Sequence, residues 1–300
     1  MMRSLYSGVS GLRNHQTRMD VIGNNIANVN TTGYKAGRTV FQDIYSQTLG
    51  SASASTPNLG GTNPTQIGLG VKLGAIDTLF TPGAAQNTDN PSDLMISGDG
   101  FFIVDINGTA SGATDPVENG GMRYTRAGNF YIDNSGFLVS SEGYFVMGYT
   151  ITDSDVDDDG YPIPFETDDL EDGAALQKID LSAYTNITFD SKGVAWGYES
   201  DTGEKVAIAQ VAIAMFANNS GLEKVGGSLY DKTANSGAVV HTYAGALGAG
   251  SVDSGRLEMA NVDLAAEFTD MIITQRGFQA NSRVITVSDT MLEELVNLKR

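Results

Sequence analysis

The chain has 300 residues, of which 41% are hydrophobic, so it can form a sizeable core and is not a wholly disordered chain. It contains no cysteine, which excludes disulfides, thiolate metal sites and cysteine nucleophiles. Its net charge of -18 argues against sequence-independent binding to nucleic acid, because such binding needs a basic surface.

The N-terminal segment, residues 1–30, has the period of a helix that packs along one seam. Its seam positions alternate in steps of four and three: Leu5, Val9, Leu12, Gln16, Met19, Gly23 and Ile26. Gly8, Gly11 and Gly23 each cost about 1 kcal/mol of helix propensity relative to alanine, so the helix should form only against a partner. Polar residues interrupt every apolar stretch, and we expect neither a cleaved signal peptide nor a membrane span.

The middle of the chain reads as β structure. Residues 31–75 should form an extended linker, because residues 46–70 are rich in Ser, Gly, Thr, Asn and Pro. Residues 76–257 should form a β-rich outer domain, interrupted by an acidic insertion at residues 151–173. Apolar runs bounded by turn residues predict strands at 100–105, 129–133, 137–139, 144–149, 187–189, 194–196 and 205–216.

The acidic insertion contains one sequence with the spacing of a Ca²⁺-binding loop. The four possible oxygen ligands are Asp155, Asp157, Asp159 and Glu166. Two prolines, Pro162 and Pro164, stand where such a loop makes its short β pairing, and no helix pattern flanks the motif. We therefore interpret it as a solvated acidic loop and predict no metal site, with Ca²⁺ binding as the alternative.

The C-terminal segment, residues 258–300, predicts one long helix, because it has no proline and a single glycine, Gly277. Asn261 is the predicted N-cap, and 1.5 Å per residue gives a length of about 55 Å. Apolar residues recur every seven positions at Leu264, Met271, Phe278, Ile285 and Leu292. The companion positions are Phe268, Gln275, Ser282, Asp289 and Val296.

Together these segments predict an α+β fold. Long terminal α-helices, in residues 1–30 and 258–300, should pair as a coiled-coil-like assembly domain, with the β-rich middle inserted between them. Both helices carry a seam that needs a partner, so the seam should also bind neighbouring subunits. The predicted assembly interface comprises Leu5, Val9, Leu12, Met19, Ile26, Leu264, Phe268, Met271, Phe278, Ile285, Leu292 and Val296.

Five stretches of the sequence resemble the flagellar rod and hook proteins. The N-terminal signature is Ser10-Gly11-Leu12 followed by DVIGNNIANVNTTGYK at 20–35. The middle carries MISGDGFF at 95–102 and YTRAGNF at 124–130, and the C-terminal part carries NVDL at 261–264 and TQRGFQANSR at 274–283. Within the family, residues 276–279 and 294–300 are most similar to hook proteins, and distal rod proteins are the alternative.

The resemblance implies a structural subunit that polymerises with itself into a flexible tube, joins rod to filament and transmits torque. It implies export through the flagellar type III apparatus, a place in the flagellum outside the cell, and contacts with rod, hook-cap and hook–filament junction proteins. It implies no cofactor, no nucleic-acid partner and no membrane insertion.

Two other classes of function stay open at this point. One is a Ca²⁺-dependent extracellular binding module that uses the acidic loop. The other is an enzyme, for instance a glycosidase with paired carboxylates, although no motif selects such a pair. His15 and His241 are the two histidines and belong to no catalytic pattern, so we predict that the protein is not an enzyme.

Overall fold

The computed structural model describes residues 2–55, 60–108, 121–151, 176–200 and 203–298. The chain divides into two compact units that alternate along the sequence. Unit 1 consists of Met1–Asn28, Ala36–Leu79 and Val262–Arg300, and unit 2 of Val29–Lys35 and Phe80–Asn261. Helices at both ends of the chain and strands between them confirm the α+β class.

Unit 1 contains two helices and two antiparallel strand pairs. The helices are α1 (Met2–Ala27) and α2 (Leu264–Asn297). Strand β1 (Gly37–Asp43) pairs with β4 (Val71–Thr78), and β2 (Ser46–Gly50) pairs with β3 (Thr65–Gly68). Helix α1 is fixed to β4, because the Asn14 side-chain amide donates to the Val71 carbonyl at 2.7 Å and the Val71 N–H donates to Ser10 Oγ at 3.3 Å.

Residues 31–75 do not form the expected extended linker, because strands β1 to β4 occupy much of that range. In β1 the half-buried positions Gly37, Thr39 and Phe41 alternate with exposed ones, which is the pattern of a strand with one packed face. The Ser- and Gly-rich composition of residues 51–61 belongs to the connection between β2 and β3 and says nothing about the strands on either side.

The N-cap of helix α2 lies two residues after the predicted one. The Asp263 side chain accepts hydrogen bonds from the N–H groups of Ala265 at 2.9 Å and Ala266 at 3.3 Å, so Asp263 is the cap. The Asn261 amide donates to the Thr81 hydroxyl and carbonyl instead. The helix has 34 residues, which corresponds to about 51 Å.

Unit 2 is built on an antiparallel sheet that contains twelve strands among the described residues. The main order is β13-β14-β15-β11-β7-β8-β17-β16, and β9, β10, β12 and β18 attach beside it. Two further pairs, β19 with β6 and β20 with β5, complete the unit.

The strands of unit 2 before residue 151 are β5 (Ala85–Asn87), β6 (Leu94–Ser97), β7 (Phe101–Asp105), β8 (Met122–Thr125), β9 (Phe130–Ile132), β10 (Leu138–Ser140) and β11 (Phe145–Thr150). The later strands are β12 (Gln177–Lys178), β13 (Tyr184–Phe189), β14 (Val194–Glu199), β15 (Lys205–Phe216), β16 (Glu223–Gly226), β17 (Leu229–Asp231), β18 (Val239–Tyr243), β19 (Ser251–Ser254) and β20 (Arg256–Glu258). A short 3₁₀ helix covers Asn219–Gly221.

The strand predictions hold within a residue or two of most boundaries. Strand β15 covers the predicted range 205–216, and the predicted hairpins are the pairs β9–β10 and β13–β14. All of the acidic insertion except Ile151 lies outside the described residues.

The core of unit 2 lies on both faces of its central strands. Phe102 and Val104 of β7 pack into one buried cluster, and Phe101 and Ile103 pack into a second. Because side chains alternate across a strand, a strand buried on both faces must be apolar throughout. This accounts for the unbroken run Phe101-Phe102-Ile103-Val104 that the sequence shows.

A buried ion cluster in unit 2 ties distant parts of the chain together. Lys35 Nζ lies 2.6 Å from Glu258 Oε1, and Arg126 Nη1 lies 3.4 Å from Glu258 Oε2. The Gly83 N–H donates to Glu258 Oε1 at 2.9 Å. The side chains of Lys35, Arg126 and Glu258 are at most 1% exposed. Burial lowers the pKa of Lys35, and the Glu258 carboxylate opposes that shift.

The cluster also organises the backbone around it. Arg126 donates to the Ile96 carbonyl at 3.2 Å and to the Gly98 carbonyl at 2.7 Å. Gly33 has a φ of +66°, and a Cβ there would lie 2.5 Å from the Ala127 nitrogen, so this position requires glycine. Residues 31–35, 95–102 and 124–130, which are three of the family-like stretches, therefore converge on Glu258.

We expect Glu258→Gln to destabilise unit 2 strongly, because it leaves two buried cations without a charged partner. The expected loss in the free energy of unfolding is about 3–5 kcal/mol. Urea unfolding followed by the fluorescence of Trp196, the single tryptophan of the chain, reports on this unit.

The matched control is Asp253→Asn, which breaks the exposed pair that Asp253 forms with Arg256. That change should cost less than about 1 kcal/mol. Equal effects of the two substitutions would contradict the importance of the buried cluster.

Candidate assembly surface

Helices α1 and α2 pack side by side in unit 1 and run antiparallel, because their residues meet in reverse order. Three glycines stand where the helices come close. A Cβ on Gly8 would lie 3.4 Å from Ile285 Cγ1, and one on Gly11 would lie 2.5 Å from Asn281 Nδ2. A Cβ on Gly277 would lie 2.7 Å from two atoms of the His15 ring. The glycines weaken each helix alone but permit this close approach.

Polar contacts fix the register of the two helices. Arg18 Nη2 lies 2.9 Å from Asp270 Oδ2, and the Asn25 side-chain amide donates to Glu267 Oε1 at 2.9 Å. Asn25 is 1% exposed, and it also holds Gly37, donating to its carbonyl at 2.9 Å and accepting from its N–H at 3.0 Å. Burial raises the pKa of the Glu267 carboxyl. Asn25 therefore joins α1, α2 and the start of β1.

The buried residues on the face of α2 that meets α1 are polar, and the apolar Met271, Ile285 and Leu292 beside them are half-buried. Thr274 is fully buried, and its hydroxyl donates to the Asp270 carbonyl at 2.7 Å. Ser288 is 7% exposed and bonds the Val284 carbonyl at 2.8 Å in the same way. Gly277 and Asn281 lie between them along the helix, and most of the apolar side chains of α2 stay exposed beside the seam.

Two apolar stripes flank this seam on α2, since 100° per residue places them on either side of it. We define stripe A as Ile273, Val284, Val287, Met291 and Leu295, and stripe B as Leu264, Phe268, Phe278 and Val296. Their side chains are 38–69% exposed. An open groove of about 420 Å³ runs along stripe A and is lined by Ser4, Arg283, Val284, Val287, Ser288 and Met291.

The residues predicted for the assembly interface fall into two groups. Leu5, Leu12, Met19, Ile26, Met271, Ile285 and Leu292 are half-buried. Val9, Leu264, Phe268, Phe278 and Val296 are exposed. The heptad read from the sequence thus contains part of the α1–α2 seam and the whole of stripe B.

Sequence reasoning missed stripe A, the buried Asn25 and the contact between His15 and Gly277. Stripe A was readable, because Val284, Val287, Met291 and Leu295 recur in steps of three, four and four. The roles of Asn25 and Gly277 had no comparable signal, since both depend on which helix lies opposite.

We also searched the described residues for a metal site and for a membrane-spanning helix. No three His, Asp or Glu side chains there lie close enough to hold a metal ion. The possible Ca²⁺ ligands of the acidic insertion, Asp155, Asp157, Asp159 and Glu166, lie outside the described residues. Neither helix in the described part of the chain is both long and apolar enough to cross a membrane.

Three family models match the chain in order. Residues 5–35 match the flagella basal body rod protein model, and residues 95–195 match the flagellar hook protein FlgE/F/G D1 domain. Residues 253–298 match the flagellar basal body rod FlgEFG protein C-terminal model. These segments contain the five stretches that carried the resemblance.

Curated relatives match over the full length. The chain is 45% identical over 301 residues to the flagellar basal-body rod protein FlgG of Bacillus subtilis. It is 34% identical over 301 residues to FlgG of Borreliella burgdorferi and 32% identical over 453 residues to the flagellar hook protein FlgE of the same organism. Each match covers 100% of this chain and 100% of the relative.

Terminal helices around a strand-rich middle, with the three family segments in order, define a structural component of the bacterial flagellum. Within that class, the chain belongs to the family of flagellar basal-body rod and hook proteins.

The helix seam makes opposite predictions for two glycines. Gly277→Ala should destabilise unit 1 by about 1–3 kcal/mol, because the added methyl group overpacks against His15. Gly23→Ala should stabilise it by about 1 kcal/mol, since a Cβ at Gly23 meets nothing within 4 Å and alanine is the better helix former.

Thermal unfolding of both variants, followed by the helical circular dichroism signal, measures the difference. A rise in the melting temperature for both would mean that helix propensity alone governs these positions and that the close approach of α1 and α2 is unimportant.

Proposed function

We propose that this chain assembles with copies of itself into the tubular axis of the flagellum and that it forms the distal rod there. The observation that carries the proposal is the exposure of stripes A and B along the whole of α2. Large exposed apolar patches on a soluble chain usually mark interaction sites. In a homopolymer, the partner that covers these stripes is a neighbouring copy of the same chain.

The energetics favour such an assembly. Full burial of one large apolar side chain contributes roughly 1.5–3 kcal/mol, and these side chains are about half exposed in the single chain. Burial of both stripes therefore supplies several kcal/mol per subunit, before the entropy of association is subtracted. The polar seam leaves these stripes available, because α1 covers only the face between them.

The choice between rod and hook rests on length and identity. The rod relative from Bacillus subtilis aligns over 301 residues at 45%, so the two chains match almost residue for residue. The hook relative aligns over 453 residues at 32%, so this chain of 300 residues lacks long stretches that the hook protein has. These findings favour the distal rod over the hook, although the sequence motifs alone had favoured the hook. The hook stays the second candidate because of its full-length match.

We assign the two units different roles in the polymer. Unit 1 acts as the assembly domain, in which α1 and α2 form a coiled-coil-like pair that packs on neighbouring pairs. Unit 2 forms the outer layer. Because α1 carries three glycines, its helix is weak alone and depends on α2 in the single chain, and polymerisation stabilises the pair further.

The remaining roles follow from membership of an axial structure. The subunit leaves the cell through the flagellar type III apparatus without cleavage and acts outside the cytoplasm. It contacts other rod proteins and the base of the hook. It works by mechanical connection and has no catalytic turnover.

The assembly role is tested by substitution within stripe A. Met291→Asp should abolish tubes of the purified protein in electron microscopy, because a carboxylate would be buried against a neighbour. Thr290→Asp is the matched control, since Thr290 is exposed on the side of α2 opposite α1 and outside both stripes. Tubes formed by Met291→Asp, or discrete monomers of the wild-type protein at high concentration, would contradict the proposal.

The place in the axis needs a second experiment. Gold-labelled antibody against this chain, applied to isolated hook–basal bodies, should bind the rod segment beneath the hook. Label along the hook would support the second candidate and leave the assembly role intact.

A further inference from the structure

His15 of α1 lies in the seam between the two helices. Its half-buried ring lies against Gly277, the single glycine of α2, where a Cβ would lie 2.7 Å from Nε2 and Cε1. The Nδ1 atom of the ring is buried and has no hydrogen-bond partner in the part of the chain that the structure describes. The position therefore suits a neutral ring, because an imidazolium would bury an N–H donor without an acceptor.

The charges around His15 also disfavour its protonation. Arg18 lies one turn further along α1 and, after burial itself, is the second cause that lowers the pKa of His15. The Asp270 carboxylate on α2, which would favour a cation, is engaged by Arg18 at 2.9 Å. The other charged residues of the packed elements are Arg3, Arg13 and Asp20 on α1, Glu267, Arg276, Arg283, Asp289, Glu293 and Glu294 on α2, Arg38 and Asp43 on β1, and Lys72 and Asp77 on β4. Of these, Glu267 is engaged by Asn25 and Arg276 by Gln279.

We propose that the α1–α2 seam is an acid-responsive element, in which protonation of His15 separates the two helices and so removes the groove along stripe A, which Ser4 of α1 and residues of α2 line together. The inference concerns regulation of the surface described above, so its consequence for polymers rests on the proposed function. The separation itself is a property of the single chain.

The direction of the pH effect follows from linkage. A histidine whose pKa is lower in the folded state contributes stability that is fully present above its ordinary pKa of about 6.5. That contribution is lost as the pH falls from there towards the lowered value, because the unfolded chain then binds the proton more readily. Glu267 works in the opposite direction, since its raised pKa makes its burial less costly as the pH falls. If helices α1 and α2 separate on acidification, Glu267 therefore cannot be the cause.

The test uses the full-length chain at two pH values, about 7.5 and about 5.5, on either side of the ordinary histidine pKa. Amide exchange, corrected for the intrinsic rate, should show a several-fold loss of protection along the seam of α1 and α2 at the lower pH. The His15→Gln variant, which cannot take up a proton, should keep its protection at both values. His15→Phe is the second variant should glutamine fail to fill the space over Gly277.

Two controls separate His15 from other causes. His241→Gln removes the second histidine, in β18, and should leave the pH response unchanged while it assigns the remaining imidazole signal in an NMR titration. Glu267→Gln should leave the response unchanged or enlarge it. A midpoint for His15 below the ordinary value supports the proposal, whereas a midpoint at or above it overturns the proposal.

Equal loss of protection in the wild type and in both His15 variants would also overturn the proposal. Failure of the assembly role is recognised separately, because the wild type would then form no tubes at either pH while the exchange data still report on the seam. Tubes of the wild type that dissociate at the lower pH, together with stable tubes of His15→Gln, are the expected result for the polymer.

Discussion

Glu258 is held between two buried cations, and much of the arrangement of unit 2 depends on that contact. The partners Lys35 and Glu258 are 223 residues apart in the chain, and Arg126 lies between them in sequence. Moving a carboxylate and two cations out of water is costly, so each of the three must keep its partners once the core has closed. The hydrogen bonds from Arg126 to the Ile96 and Gly98 carbonyls extend this requirement to the backbone before β7. The contacts of this one carboxylate thus hold Val29–Lys35, the first segment of unit 2, against the last strand, β20.

A different principle governs unit 1. Its two helices approach closely because glycine stands at three points of the seam, and they keep their register through the contacts of Arg18 and Asn25. Because the buried residues of α2 in this seam are polar, apolar side chains stay exposed on both flanks of the helix. The same pair of helices can therefore be specific for each other and still carry two surfaces for neighbours.

The distribution of charge fits this division of roles. Unit 1 has nine basic and nine acidic residues, so the whole net charge of -18 lies on unit 2. Self-repulsion opposes the association of strongly charged surfaces. A neutral unit 1 avoids that repulsion where copies would meet, whereas the acidic unit 2 favours solubility.

The sequence alone determined the α+β class, the two terminal helices, the hairpins β9–β10 and β13–β14, and the long strand β15, because each depends on local periodicity and turn residues. It also determined the family, since the motifs are long. It could not show that residues 37–78 hold strands, because their pairing partners lie beyond a Ser- and Gly-rich connection. Only the tertiary structure decided that Asn261 bonds to Thr81, 180 residues away, which leaves Asp263 to cap α2. The same holds for the contacts of Glu258 with Lys35 and Arg126, and for the close approach of α2 to the glycines of α1. Each of these depends on which residue lies opposite across a large sequence separation, and no local pattern encodes that.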